Sequence, residues 1–284
     1  MSKTLGTVHQ EAIEQLKSCS ESARLDADII LSFALDIPRT RFITQADTAV
    51  SESQFDHIQS LIDKRKQGCP VSYITGSQGF WDLELIVNEH TLIPRPETEL
   101  LVEFALAIFP SNKPIRVLDL GTGTGAIAIA IAKSRPIWQV LATDKSTAAL
   151  DVAAKNIEKY QLSNIELVES DWFSKIKSDA AFDLIISNPP YIADQDPHLT
   201  QGDVQFEPIT ALSAGSDGLD DIRDIVNRAR KHLSKYGWLM VEHGYDQGDA
   251  VKALFSEHGY HTIQQGLDLN GHTRATYGQR DTDA

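Results

Sequence analysis

Cysteine is scarce in this sequence, and the little there is does not pair into a motif. Among 284 residues only Cys19 and Cys69 carry thiols, and neither sits in a CxxC or Cys/His spacing. Two scattered thiols suit a reducing cytoplasm and argue against a secreted, disulfide-stapled scaffold. A chain of this length buries enough surface to need no such staple. Long apolar runs are missing too. None is long enough to span a membrane, and the opening "MSKTLGTVHQEAIEQL" lacks the apolar core of a signal peptide. Basic charge is short as well: 26 Lys and Arg face 40 Asp and Glu, a formal net charge of −14. A protein that grips duplex DNA takes most of its affinity from Lys and Arg neutralising phosphates. Here the basic residues are scattered, and only "DKRKQG" at 63–68 clusters them, where they are expected to close a helix whose C-terminal dipole favours cations. The nine histidines form no metal-ligand or triad spacing. These absences leave a cytoplasmic protein with no membrane attachment and no direct nucleic-acid partner as the expectation.

What is present follows two grammars. Residues 1–75 read as short helices. "SARLDADIILSFALDIP" carries a helical apolar stripe and stops before Pro38. "SESQFDHIQSLIDKRKQGCP" opens on a capping-box pattern, Ser51 with Gln54; it puts Phe55, Ile58, Leu61 and Ile62 on one face and ends at Gly68 and Pro70. A small all-α domain over 1–75 is expected, followed by a hairpin or linker over 76–93, where apolar residues alternate at Leu83, Leu85 and Val87.

The third segment, 94–284, turns by residue 114 to strands alternating with helices. Strands are predicted at 115–120, 138–144, 164–170, 182–187 and 237–244, with "RATYGQ" as a last one near the end. Helices are predicted in "TGAIAIAIAKS", "STAALDVAAKNIEKY", "LDDIRDIVNRARKHL" and "GDAVKALFSEHG". Near-continuous apolar strands alternating with amphipathic helices imply an α/β fold, a doubly wound, mostly parallel sheet covered on both faces. Such sheets bind ligands at the carboxyl ends of their strands.

Three strand ends carry chemistry. "VLDLGTGTGAIAIA" sets Gly121, Gly123 and Gly125 directly after the first strand, where glycines let the backbone approach a ligand and feed a helix N-terminus. Alone the motif is weak: it passes the permissive dinucleotide pattern, and a tight turn without ligand would look the same. Asp144 ends the second strand, where a carboxylate takes ribose hydroxyls, although it could instead cap the following helix. In "ESDWF", Asp171 could accept from an adenine amino group while Trp172 or Phe173 packs on the ring; the aromatic could equally be core. Asp119, just before the glycines, is placed to hold a positively charged end of a cofactor. A dehydrogenase and a methyltransferase would look alike up to here.

The stretch "LIISNPPYIAD" separates them. Leu184 to Ile186 announce a buried strand, yet Asn188, Pro189, Pro190 and Tyr191 follow. Proline donates to no ladder and pushes the preceding residue out of the helical region, so the tetrapeptide is a rigid extended exit. A carboxamide or exocyclic base amine is a planar, poor nucleophile whose two N–H groups seek acceptors. The Asn188 side-chain carbonyl and the Pro189 backbone carbonyl are two such acceptors. Fixed on one amino group, they favour a developing pyramidal, cationic nitrogen over the flat ground state. Tyr191 is placed to stack on the planar group or to face a sulfonium.

At these residues the chain resembles the class I S-adenosylmethionine-dependent methyltransferases with an N-P-P-Y motif, and more closely the release-factor glutamine methyltransferases, the PrmC/HemK family. The likeness runs through "YITGSQGFW" (73–81), "LIPRPETELLV" (92–102), "DLGTGTGAIAIA" (119–130), "ESDWF" (169–173), "SNPPYI" (187–192) and "VEHG" (241–244). It implies a Rossmann-like class I fold, S-adenosyl-L-methionine as cofactor with S-adenosyl-L-homocysteine as product, and the glutamine of the Gly-Gly-Gln loop of class I peptide-chain release factors as substrate. The helical domain would help grip the release factor, and a monomer is expected. Together with the residue-level reading, the candidate cofactor set is Asp119, Gly121, Thr122, Gly123, Thr124, Gly125, Asp144, Asp171, Trp172 and Asn188. Asn188, Pro189, Pro190 and Tyr191 form the substrate clamp, with Asn188, Pro189 and Tyr191 its catalytic members.

Three rivals remain at this level. A DNA adenine N6-methyltransferase uses the same clamp on a flipped base but should carry a basic groove, which this acidic chain lacks. Another protein glutamine, such as one on a ribosomal protein, is the second, and release factors are favoured over it only through the resemblance. A cofactor-binding scaffold without turnover would have no use for an intact clamp.

Overall fold

The computed structural model describes residues 3–281, so the first two residues of the predicted helical domain and the last three of the catalytic one lie outside it. The described chain divides into two compact units. One runs up to Ser77 and takes in Gln201–Phe206; the other comprises Gln78–Thr200 and the residues from Glu207 onward.

The first unit is helical: α1 (Leu5–Leu16), α2 (Ala23–Leu35), a single turn α3 (Arg41–Thr44), α4 (Glu52–Lys66) and α5 (Val71–Thr75). The capping box of α4 is present in full, Ser51 accepting from the Gln54 N–H and the Gln54 side chain accepting from the Ser51 N–H. Ile58, Leu61 and Ile62 turn into a core shared with Leu16 of α1 and Ile30 and Leu31 of α2. The basic run closes α4, as its position predicts, but one member is not a surface charge. Arg65 is buried, with its Nε donating to Asp26 of α2 at 2.7 Å and its Nη1 to Asp203 at 2.6 Å. Those carboxylates hold its guanidinium pKa up against burial.

A hairpin follows, β1 (Ser77–Phe80) and β2 (Leu83–Ile86), which lies in the second unit from Gln78 onward and whose two-residue turn puts Trp81 at φ 56°. A 3-10 turn, Pro96–Thr98, leads into α6 (Glu99–Ile108). The sheet follows: β3 (Arg116–Leu120), β4 (Gln139–Asp144), β5 (Ile165–Glu169), β6 (Phe182–Ser187), β7 (Leu233–Glu242), β8 (Tyr260–Leu267) and β9 (Thr273–Arg280), in spatial order β5-β4-β3-β6-β7-β9-β8. The first five of that order are parallel; β9 runs antiparallel to both β7 and β8. The helices are α7 (Ala126–Ser134), α8 (Thr147–Lys159), α9 (Asp220–Ala229) and α10 (Gly248–Glu257). Alternate strand residues feed two cores. Val117, Leu184, Ile186 and Met240 pack with α6 and α7, while Leu118, Ile185, Leu239 and Val241 pack with α9 and α10. This two-faced burial explains why the strands read as continuous apolar runs.

Four elements depart from the sequence expectation. β8 is not predicted, because "YHTIQQGL" exposes half its positions at a sheet edge and carries too little apolar signal. α6 follows so closely on the "IPRPE" turn that its apolar run reads as an extension of the linker. Finally, α9 ends at Ala229 and β7 begins at Leu233, so the predicted helix overruns and the predicted strand starts late, at a register shift between Phe182 and Leu184 in the β6–β7 ladder.

One buried side chain joins three of these pieces. Asn156 of α8 is fully buried; its amide donates to the carbonyls of Ile86 and Thr124 and accepts the Ile86 N–H at 2.7 Å. Replacing Asn156 by Ala strands those backbone groups in the interior, an expected loss of about 2–4 kcal/mol. Urea unfolding should show a lower midpoint at unchanged slope; an unchanged midpoint would mean that water replaces the amide.

Candidate active site at the carboxyl edge of the sheet

The register of the parallel strands brings their exits to one level. Leu120 pairs with both Thr143 and Ser187, and Asp144 pairs with Glu169. The exits are also tied to one another: Thr122 N–H donates to the Thr143 carbonyl at 2.8 Å, Ser187 Oγ to the Leu120 carbonyl at 2.8 Å and Ser170 N–H to the Asp144 carbonyl at 2.9 Å. A cavity lies against these ends, lined by residues from the exits of all four strands, Gly121, Asp144, Ser170 and Asn188 among them.

The glycine loop forms one wall through Gly121, Thr122, Gly123 and Thr124. Gly121 and Gly123 adopt φ of 70° and 55°, conformations that L side chains rarely take. A Cβ on Gly123 would meet none of the described residues within 4 Å, so the space beside the loop is open. A Cβ on Gly121 would lie 3.3 Å from the Trp172 ring. Gly125 does a different job: it precedes α7 at φ 82°, and a Cβ there would press on Ile129 at 3.0 Å and Ala153 of α8 at 3.4 Å. It permits helix packing and is not part of the wall.

Asp144 stands on the wall. Its Oδ2 accepts the Gly123 N–H and its Oδ1 the Ser146 N–H, both at 2.9 Å, so it holds the glycine loop and the turn into α8 together. The helix cap itself is Ser146, whose Oγ accepts the Ala149 N–H. Asp171 and Trp172 also line the cavity. Trp172 sits at φ 46° with its indole N–H donating to Asp221 of α9 at 3.1 Å, which fixes the ring over Gly121. Asp221, whose pKa burial raises, is a functional partner the sequence reading misses; its only signal is position in the first turn of α9. Phe173, the alternative to Trp172, is core: it is buried and stacks on His232 at 5.0 Å.

Asp119 is 1% exposed and off the cavity wall; its Oδ2 accepts the Thr122 hydroxyl at 2.6 Å and braces the loop, while its Oδ1 is buried without a hydrogen-bond partner among the described residues. Burial pushes its carboxyl up to about 7.

Of the N-P-P-Y residues, Asn188 and Pro190 line the cavity. The Asn188 amide nitrogen donates to Thr98 Oγ at 3.0 Å, while its Oδ1 is buried with no hydrogen-bond partner among the described residues. Tyr191 is not on the cavity wall. Its ring packs against the α9–α10 core and its hydroxyl donates to Glu242 of β7 at 3.3 Å, so it anchors the strand exit. The Pro189 side chain is likewise off the wall. Opposite, the "LIPRPETE" segment contributes Leu92, Pro94 and Thr98 to the cavity. It is held by the fully buried carboxyl of Glu207, which accepts the Ile93 N–H at 3.0 Å and an Arg95 guanidinium N–H.

Burial also pushes the Glu242 carboxyl up to about 7. An acid whose folded pKa is raised keeps its proton where the unfolded chain has already lost it, so stability falls as pH climbs from the ordinary carboxylate range to about 7. The double variant Asp119→Asn, Glu242→Gln should flatten that fall in urea titrations across the window. An equal slope in variant and parent would show that neither group carries it.

The sequence is matched by the family model of the PrmC N-terminal domain over residues 7–76 and by that of the methyltransferase small domain over 97–205. The release factor glutamine methyltransferase of Pseudomonas aeruginosa is 50% identical, the match covering 92% of this chain and 94% of that one. The enzyme of the same name from Escherichia coli is 44% identical over 95% and 96% of the two chains. Among solved structures, a methyltransferase from Pyrococcus furiosus shares the fold at a TM-score of 0.54 and 19% identity, covering 79% of this chain and 98% of its own. Identity at that level along nearly the whole chain, through both units, decides the matter: the protein belongs to the release factor glutamine methyltransferase family.

Proposed function

We propose that Asn188 and the Pro189 carbonyl hold the side-chain amide of a glutamine at the mouth of this cavity for methylation. The chain is a protein-glutamine methyltransferase that uses S-adenosyl-L-methionine and acts on peptide-chain release factors. When bound, S-adenosyl-L-methionine supplies an electrophilic methyl group carried on a sulfonium. Asp144 takes its ribose hydroxyls, Asp171 and Trp172 take the adenine, and the open backbone of Gly121 to Thr124 lies along the remainder.

The observation that carries the clamp is Asn188 Oδ1, buried at the cavity and without a partner among the described residues. A buried carbonyl left unpaired costs free energy, and an incoming amide N–H relieves that cost. With the Pro189 carbonyl it accepts both protons of the glutamine amide, aims the nitrogen lone pair at the methyl group and stabilises the positive charge that grows on nitrogen. No strong base is needed, because the N-methylated, N-protonated amide is itself a strong acid and sheds its proton once formed.

The glutamine of the Gly-Gly-Gln loop is the residue taken, and the helical unit grips the release factor. The enzyme works as a monomer in the cytoplasm without contacting nucleic acid. No helix among the described residues is long and apolar enough to cross a membrane.

Asn188→Ala should keep the fold and most cofactor affinity but lower turnover by about 10²–10³, as for loss of one preorganised transition-state group; near-normal turnover sinks the clamp. Asp144→Ala should weaken cofactor binding about 10–100-fold in calorimetry, the worth of hydrogen bonds to a charged acceptor. Unchanged affinity would reduce Asp144 to a brace for the loop.

A further inference from the structure

Two prolines in succession leave the clamp unable to tie itself down. Neither Pro189 nor Pro190 has a backbone N–H, so no donor at these positions can fasten the chain to its surroundings. The rings fix φ and restrict ψ at Pro189 only to the broad extended region, which leaves the direction of the Pro189 carbonyl open. That direction is set by how the chain is held on either side. The upstream hold is the sheet: Ser187 is paired in the ladder, and its hydroxyl donates to the Leu120 carbonyl. The downstream hold is Tyr191. Its N–H donates to the Leu212 carbonyl at 3.2 Å, its hydroxyl donates to Glu242 at 3.3 Å, and its own carbonyl accepts from the Gln247 side chain at 2.9 Å.

Gln247 is half-buried and immediately precedes α10, and both ends of its amide are engaged. Its Oε1 accepts the Gly244 N–H at 2.8 Å, while Nε2 also reaches the carbonyls of Asp217 and Gly218 at 3.3 and 3.4 Å. These partners are all backbone groups, whose roles as donor or acceptor cannot be exchanged, so the amide has one orientation. A turned amide would set its oxygen against carbonyls and its NH₂ against an N–H. Two glycines make room for the contact. Gly218 adopts φ 72°, and a Cβ there would sit 2.2 Å from the Tyr191 carbonyl oxygen and 2.9 Å from Gln247 Nε2. A Cβ on Gly244 would lie 3.0 Å from Gln247 Oε1.

We propose that Gln247 is a positioning residue for methyl transfer: by holding the Tyr191 carbonyl it fixes the downstream end of the N-P-P-Y segment and so aims the Pro189 carbonyl at the substrate amide. Gln247 is off the cavity wall, so it acts only through Tyr191. The contact gives "SDGL" (216–219) and "VEHGYDQ" (241–247) a shared task that cofactor binding does not assign to them. An acceptor that is misaimed by a fraction of an ångström still admits the substrate but no longer meets the nitrogen as it pyramidalises, so the cost falls on the chemical step.

The inference rests on the clamp reading, and the test separates the two. Gln247→Met and Gln247→Glu are compared with the parent in the full chain. The readouts are kcat and KM with the release factor across a range of pH, and cofactor affinity by calorimetry. Methionine keeps the length and loses both ends of the amide. Gln247→Met should lower kcat about 10–100-fold, with KM and cofactor affinity within about twofold. In Gln247→Glu the ionised carboxylate has no proton for the Tyr191 carbonyl, whereas the protonated acid donates one and still accepts the Gly244 N–H. Its kcat, as a ratio to the parent at each pH, should be low at neutrality and climb as pH falls; the ratio for Gln247→Met should stay flat. The charged groups around the position are Asp246 beside it, Asp249 in the first turn of α10, Glu242 at the end of β7, and Asp217 before α9, which is paired with Arg223. Their excess negative charge favours the protonated acid. Normal kcat in Gln247→Met overturns the proposal, as does a cofactor affinity that falls in proportion to kcat, the mark of general loosening. A ratio for Gln247→Glu that ignores pH overturns it too, and this variant decides the matter even where Gln247→Met fails to fold. Should Asn188→Ala be defective in the same assay, the clamp stands whatever becomes of Gln247; should it be active, the clamp itself has failed.

Discussion

Everything at this site depends on four parallel strands ending at the same height. Because Leu120 is in register with both Thr143 and Ser187, and Asp144 with Glu169, the residue after each strand emerges on one edge. The glycine loop, Asp144, the Ser170–Trp172 turn and Asn188 come from segments spread over some seventy positions of the chain, yet they meet without any long loop having to search for its place. Short ties between strand exits, such as Ser187 Oγ to the Leu120 carbonyl, fasten that edge. A slip of one residue in β6 would turn Ile185 and Ile186 to opposite faces and withdraw Asn188 from the cavity.

Behind this edge lies a tier of four acids, three of them buried, that hold their neighbours in place. Asp119 braces Thr122, Asp221 pins the Trp172 indole, Glu207 holds Ile93 and Arg95, and Glu242 anchors Tyr191. Asp119 and Asp221 order neighbours that line the cavity, Thr122 and Trp172, and Glu207 holds the residues on either side of cavity-lining Pro94. Burial raises the carboxyl pKa of Asp119 and Glu242 to about 7, a cost the fold carries so that backbone and side-chain donors are aimed rather than left to water. The acidity of the chain, −14 overall, is thus partly structural and not only a solvated surface.

Much of the fold was legible because its signals are local. The α7 and α8 segments announce themselves by composition, the capping box of α4 by two residues, and β3, β4 and β6 by apolar runs. β8 was not legible, since an edge strand with alternate exposure looks like loop, and its pairing with β9 is a tertiary fact. At the site, residues that meet the cavity through backbone geometry, Gly121, Gly123 and Asp144, were readable from strand-end position. Residues that act behind them were not. Asp119 and Tyr191 meet Thr122 and Glu242, and which way a side chain turns is not written along the chain. Thr98, Glu207, Asp221 and Glu242 escaped because their partners lie 49 to 114 positions away.

The central claim is that this cavity methylates an amide nitrogen presented by a protein. The most direct measurement is transfer of label from radiolabelled S-adenosyl-L-methionine, with intact release factor, the same factor with its loop glutamine replaced, and unmethylated duplex DNA offered in parallel. Label on the intact factor alone is the predicted result. Label on the substituted factor or on DNA would contradict the account, because the clamp would then be holding a different nitrogen.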